Sequence, residues 1–414
     1  MDWAAFVIVA AAAFLVAGAL GSTSQLRLAG NLLILGVVMR IVGVTARHWM
    51  IFDLYNGGSD AVGYFDAGRV ISEHLRALDF SIFGSGMWGQ REWGTQVVRY
   101  AAGIVMTFTG PSLRSTFLVF SLLSFAGLVC MTIAYGRSNA QGSIRHAALL
   151  LFLWPTLWFW PSSIGKEAVL LLAIGLVTLG YVGEGGRISW LPMIAGLVLA
   201  LIIRPHVAGV LAVAACASEW TSGGWTTRRF VQSMVISALT LWLLVKAFSL
   251  LGVNSTDYTS VESFMSHWAH QTNQGGSAIE RTDSSVLAVP MAFVNILFRP
   301  FLTEARSAMA LVSSLEMLAF WALAVSGSRR FPAVLRSWQT NRLLRFVMPF
   351  SMLYVLMIGL TFQNLGIIAR QRTLVMPALL MVVATTMSTA RVRETTRVRR
   401  SWKAATPAAA PAAK

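Results

Sequence analysis

The chain has 414 residues, 56% of them hydrophobic and only 12% charged, with a mean hydropathy of +0.65. A soluble protein of this length needs more charge to keep its surface wet, so that class is excluded. The formal net charge of +16 would fit nucleic acid, but the basic residues sit in short loops between apolar runs, as the positive-inside rule requires. No nucleic-acid partner is therefore expected.

Residues 4–20 open the chain as an apolar run without the basic start or cleavage site of a signal peptide, and read as a retained first helix. Further runs at 115–135, 168–182 and 231–251 come close to the roughly 20 residues that match a bilayer core. No alternating β-barrel pattern accompanies them. The expected fold is all-α, a polytopic transmembrane helical bundle of about ten spans over residues 1–390. Residues 391–414, basic and then Ala/Pro-rich, read as a disordered cytoplasmic tail that touches anionic lipid. Cys130 and Cys216 both lie in apolar runs and point to neither a disulfide framework nor a metal site.

Arg27, Arg137, Arg145, Arg187, Arg228, Arg229 and the cluster Arg329, Arg330, Arg336, Arg342 and Arg345 mark the expected cytoplasmic loops. The outward loops are then 47–96, 161–165, 204–206, 252–286 and 363–372. Most acids fall on that side: Asp53, Asp60, Asp66, Glu73, Asp79, Glu92, Glu167, Asp257, Glu262, Glu280, Asp283 and Glu304. Between outward loop 47–96 and inward Arg137 only one span fits, yet two apolar segments lie there. The shorter, 97–109, therefore reads as an interfacial helix on the outer face, within a long first outer loop over 47–114. Residues 287–298 pose the same problem before a clear span at 305–324, within a second long outer loop over 252–304.

Five constellations fall on the outward side. Gly57-Gly58-Ser59-Asp60 makes a turn in which Asp60 is placed to cap a helix starting at Ala61, and Tyr64 shares its face. Asp60 is then either a cap or a carboxylate able to take a proton from a sugar hydroxyl. Trp154, Trp158 and Trp160 set the next turn at headgroup level. Lys166 and Glu167 behind them are either a snorkelling lysine with a first-turn glutamate or an anion contact with its orienting acid. Arg204-Pro205-His206 interrupts the apolar stretch 191–217, and charge at such a break is costly unless it faces a wet cavity. Phe298-Arg299-Pro300 with Glu304 repeats the pairing of Arg-Pro with an acid at the lip of a span. Gln363-Asn364 through Arg370-Gln371-Arg372 reads as a polar hairpin whose arginines face outward, and arginine forks suit phosphate oxygens. One carboxylate and several cations at headgroup height suit a lipid-linked phosphosugar better than an ion channel. Walker, Rossmann, zinc and EF-hand patterns are not found.

Asp60-Ala61-Val62-Gly63-Tyr64 resembles the D-A-x-x-Y setting in the first outer loop of C-type membrane glycosyltransferases. The stretch 100–114, ending Gly110-Pro111-Ser112-Leu113-Arg114, is similar to their next outer-face helix and turn. The resemblance covers roughly residues 50–135. It implies transfer of a sugar from a polyprenyl-phosphate donor to a glycan or glycolipid acceptor on the non-cytoplasmic face. Asp60 would be the base, with Asp66 as the alternative. Two spans precede the aspartate loop where the family has one, and no second acid stands immediately beside Asp60. The expected reaction is inverting, with no metal and no cofactor. Arg370 and Arg372 are also similar to the last-loop arginines of bacterial polysaccharide repeat-unit polymerases. Tyr64, Lys166, Glu167, Arg204, His206, Arg299, Glu304, Arg370 and Arg372 are the expected substrate contacts. The Ala, Gly and Arg usage looks bacterial and GC-rich, which places the chain in the cytoplasmic membrane among lipid partners. A transporter or flippase of a lipid-linked or anionic substrate would instead show polar residues through the bundle and helix breaks near its midplane. A scaffold subunit would leave the outward arginines without a task.

Overall fold

The computed structural model describes residues 2–84, 93–138, 143–224, 226–250 and 285–387. The expected tail, Glu92, Asp257, Glu262, Glu280 and Asp283 lie outside the described residues. Every regular element among those described is helical. The first half contains α1 (Asp2–Ser22), α2 (Gly30–Trp49), α3 (Asp60–Arg76), α4 (Trp93–Thr109), α5 (Leu113–Arg137), α6 (Ile144–Leu153), α7 (Pro155–Phe159) and α8 (Lys166–Val182). After these come α9 (Trp190–Ile203), α10 (Pro205–Trp220), α11 (Thr227–Leu250), α12 (Ser285–Leu297), α13 (Ala308–Ser326), α14 (Phe331–Ser337), α15 (Arg342–Thr361) and α16 (Leu365–Met387).

Among the described residues, seven helices are long and apolar enough to cross a membrane: α1, α2 with its flanking turns, α5, α11, α13, α15 and α16. The chain thus has the character of a multi-pass membrane protein. Where about ten spans were expected, the remaining apolar segments are shorter: α6 has 10 residues, α9 has 14 and α12 has 13. The expected interfacial helix at 97–109 is α4, which is not one of the seven.

Local chemistry sets the helix ends. Ser112, Ser143, Ser307 and Asn341 cap α5, α6, α13 and α15, each accepting from a backbone N–H in the first turn. Pro155 and Pro205 begin α7 and α10, where a missing N–H costs nothing. Lipid gives no hydrophobic drive between helices, so close packing rests on small residues. Gly127 of α5 and Gly175 of α8 meet backbone to backbone: a Cβ on Gly175 would lie 2.2 Å from the Gly127 carbonyl oxygen. The interior runs through α5, α8, α10, α15 and α16, while α1 turns Ile8 and Leu15 outward.

The bundle has two polar ends. At one, Arg342 meets Glu219, and Arg330 donates to the carbonyls of Thr386 and Met387. At the other, Arg370 of α16 meets Glu167 of α8, and α3 and α4 pack on this end side by side. Gly68 faces Ala102 and Gly103, Arg76 donates to the Met106 carbonyl, and Gly94 lies against Ile203. Two helices end at chain breaks. At about 1.5 Å per residue α6 covers about 15 Å before Trp154 interrupts it. The Arg299–Pro300 peptide is cis and follows α12, where Phe298 stacks on Trp321 of α13 with ring centroids 4.4 Å apart.

Candidate functional site

The site is built from the ends of α2, α3, α8, α10 and α16. α2 finishes in a π-helical turn, Met50–Leu54, a departure from α geometry that is frequent at functional sites. The glycine turn after it leads into α3, which Ser59 caps through a hydrogen bond from the Ala61 N–H. Asp60 is therefore the first residue of the helix and not its cap, a correction to the sequence reading. With the cap supplied by its neighbour, the Asp60 carboxylate is exposed. It lines a cleft of about 330 Å³ with Arg47, Met50, Tyr55, Trp160 and Arg370.

Behind the cleft lies an ion-pair network. Glu167, buried in the first turn of α8, accepts from Arg204 Nη2 at 3.0 Å and from Arg370 Nη2 at 2.9 Å. Arg204 Nη1 donates to Gln371 Oε1 at 2.5 Å, and the Tyr354 hydroxyl reaches the same oxygen at 3.3 Å. Arg370 Nη1 extends to Asp60 Oδ2 at 3.4 Å. The Arg-Pro break between α9 and α10 exists where Arg204 must leave the helix line to reach Glu167, with Pro205 restarting the chain. Arg370 lies in the second turn of α16 and not in a hairpin. Only Phe362, Gln363 and Asn364 connect α15 to that helix, and Asn364 Oδ1 accepts from the Gly366 and Ile367 N–H groups.

Five of the expected residues come together here: Asp60, Tyr64, Glu167, Arg204 and Arg370. Burial raises the Tyr64 phenol above its ordinary pKa, and the Asp60 and Glu167 carboxylates add to this, so the hydroxyl stays neutral. Lys166 and His206 are half-buried, and Arg204 and Lys166 both act electrostatically on His206. Asp66 is exposed on α3 and does not line the cleft.

Three expected contacts belong to a second group. Arg299 donates from Nε and Nη2 to Glu304 at 3.0 and 2.5 Å, and from Nη1 to Asn295 at 3.2 Å. Glu304 also accepts from the Phe301 N–H at 2.9 Å, which fixes the break after α12. Arg372 is fully buried and donates to the Arg299 carbonyl. Its neighbour Glu316 accepts from the Thr156 N–H at 2.9 Å. These groups hold helix breaks together and do not line the cleft.

Arg47, Ser163, Met50 and Tyr55 are site residues that sequence pattern does not single out, and Trp160, expected as a headgroup-level belt residue, lines the cleft. Arg47, expected at the edge of the outward loop 47–96, continues α2 and is buried. The available signal was an arginine within one helical turn of an apolar run, which marks function by default. Among the described residues no group of three metal-ligating side chains is found. No family model, curated protein or solved structure matches the chain.

Proposed function

We propose that this chain transfers a sugar or glycan from a polyprenyl-(di)phosphate carrier to an acceptor hydroxyl, in cell-envelope or exopolysaccharide assembly. The cleft would open on the outer face of the cytoplasmic membrane, with the C-terminus inside. One observation carries the reading: an exposed carboxylate, Asp60, shares a cleft with two cations, Arg47 and Arg370. In the step, Asp60 takes the acceptor O–H proton as the oxygen bonds to the sugar's anomeric carbon. The bond from that carbon to the carrier phosphate breaks, and its electron pair leaves on the phosphate. Arg47 and Arg370 stabilise that developing charge.

The test compares lipid-linked glycan precursors in cells carrying wild type or Asp60→Ala at matched membrane expression. Accumulation of an unextended precursor, as in a null strain, supports the reading. An unchanged profile removes Asp60 as a base and moves the reading away from transfer.

A second reading, transport of a lipid-linked anion, is favoured by the helix breaks beside which buried arginines donate. Arg40, fully buried in the middle of α2, donates to the Leu157 carbonyl at 2.6 Å beside the break that ends α6. Arg372 occupies the same position relative to the Arg299–Pro300 break. Flip-flop of a labelled polyprenyl phosphate in reconstituted vesicles, measured with wild type and Asp60→Ala, separates the two. Transport survives Asp60→Ala, and transfer does not.

A further inference from the structure

The three guanidiniums at the cleft are not equivalent. Arg204 and Arg370 both end on Glu167, and Arg370 also reaches Asp60. Arg47 has no carboxylate within 4.0 Å among the described residues; its partners are neutral. Ser163 Oγ accepts from its Nε at 3.4 Å and from its Nη2 at 3.1 Å. Its guanidinium carbon lies 5.4 Å from the Phe159 ring centroid and 5.1 Å from that of Trp160. Only 6% of the residue is exposed, and it lines the cleft.

The two carboxylates, Glu167 and Asp60, are taken by Arg204 and Arg370, and of the three guanidiniums Arg47 is the one without a carboxylate partner. A cation buried beside lipid with only neutral partners is costly until an anion joins it. Aromatic faces on one side and a hydroxyl on the other hold the fork in one orientation, which suits two oxygens of one phosphate.

The same helix end supplies a mostly apolar path, in which Asp53 is the exposed charged residue. Met50 and Tyr55 line the cleft, while Trp49, Phe52 and Leu54 around them are 55%, 37% and 47% exposed. A free anion would use the fork and leave these side chains idle. An anion carrying a hydrocarbon chain would use both, with the chain leaving the cleft over them into the bilayer.

We infer that Arg47 receives the phosphate of a lipid-linked ligand in this cleft, and that the π-helical end of α2 is the wall along which its chain leaves. The inference rests on the lipid-phosphate part of the proposed function and does not require transfer.

The test titrates purified full-length protein in lipid nanodiscs with farnesyl phosphate, following tryptophan fluorescence and the thermal unfolding midpoint. Inorganic phosphate and farnesol serve as separate arms. Wild type is expected to bind farnesyl phosphate at least tenfold more tightly than either arm alone. Arg47→Gln should lose at least tenfold in affinity, Arg47→Lys should fall between, and Ser163→Ala should lose a few-fold. Farnesyl phosphate bound by folded Arg47→Gln as tightly as by wild type overturns the inference, as does no binding by wild type. Should Arg47→Gln not fold, Arg47→Lys decides: undiminished affinity without the fork refutes the assignment. Equal binding of inorganic phosphate removes the apolar wall, and equal binding of farnesol removes the phosphate. If Arg47-dependent binding persists while Asp60→Ala cells show no precursor, transfer fails and this inference stands.

Discussion

Each end of the bundle is organised by one buried glutamate, and the two differ in how its charge is matched. At the end away from the cleft, Glu219 accepts from Arg342 Nη2 at 2.8 Å and from the Tyr181 hydroxyl at 2.8 Å. Arg342 also donates to the Gly186 carbonyl and lies over the Tyr181 ring. One acid meets one arginine, and the remaining contacts are neutral. At the cleft end, Glu167 serves two arginines, a third has neutral partners only, and the second acid, Asp60, is exposed. The Glu219–Arg342 pair locks α8, α10 and α15 together, whereas at the cleft end an arginine with neutral partners lines a cavity and leaves capacity for a ligand. Glutamate burial alone does not distinguish a clamp from a site, and the count of partners around it does.

The largest effect should come from Asp60→Asn, which leaves the network behind the cleft in place. Transfer is expected to fall by about 10²–10⁴-fold, the range of a lost general base, measured as product formed on reconstituted protein. Because the Asp60–Arg370 contact is exposed, the unfolding midpoint should correspond to a change within about 0.5 kcal/mol. A large stability loss would instead make Asp60 part of a clamp and erase the contrast.

Glu219→Gln tests the other end. It strands Arg342 without its counter-ion and should destabilise by about 3–5 kcal/mol, as when one partner of a buried pair is removed. Transfer per folded molecule should be unchanged. Chemical unfolding in mild detergent reads the first quantity, and activity normalised to the folded fraction reads the second. Tyr181→Phe removes a single hydrogen bond to the same carboxylate and should cost about 1.5 kcal/mol by the same measurement.

The smallest effect concerns the outer edge of α3. Hydrogen bonds from Ser81 and His74 hold the Asp79 carboxyl at about 2, below its ordinary 3.8. A carboxyl depressed on folding contributes stability above its unfolded pKa and loses it as pH falls. Stability from this contact should therefore be complete above pH 3.8 and fade toward about pH 2. Asp79→Asn should remove that acid-side slope in amide exchange at the C-terminal turn of α3 and leave the cleft untouched.

Much of the architecture was legible because lipid imposes it. Long apolar runs can satisfy their backbone only as helices, so α1, α5 and α11 follow from composition and length, whereas the run 168–182 became the shorter α8 and the expected hairpin at 363–372 became the start of α16. The shortness of 97–109 separated α4 from the spans for the same reason. The site was legible in type, since charges beside proline or at span edges must face something polar. Asp60, Glu167, Arg204 and Arg370 were found that way, although residue type did not say which arginines share a partner. Arg299 and Arg372 carry the same chemical signature as Arg204 and Arg370. Only packing reveals that the first pair braces a chain break while the second pair shares Glu167.

The sequence by itself determined a helical membrane bundle, its long spans and a set of charges too expensive to bury without partners. The tertiary structure decided the pairing, because contacts such as Arg370–Asp60, 310 residues apart, depend on how short helices end and not on local pattern. It also decided that Ser59 caps α3 and frees Asp60, and that Arg47 reaches the cleft with neutral partners alone. Both outcomes turn on a few ångströms at helix ends, where side-chain partners are set by the fold and hydropathy is silent.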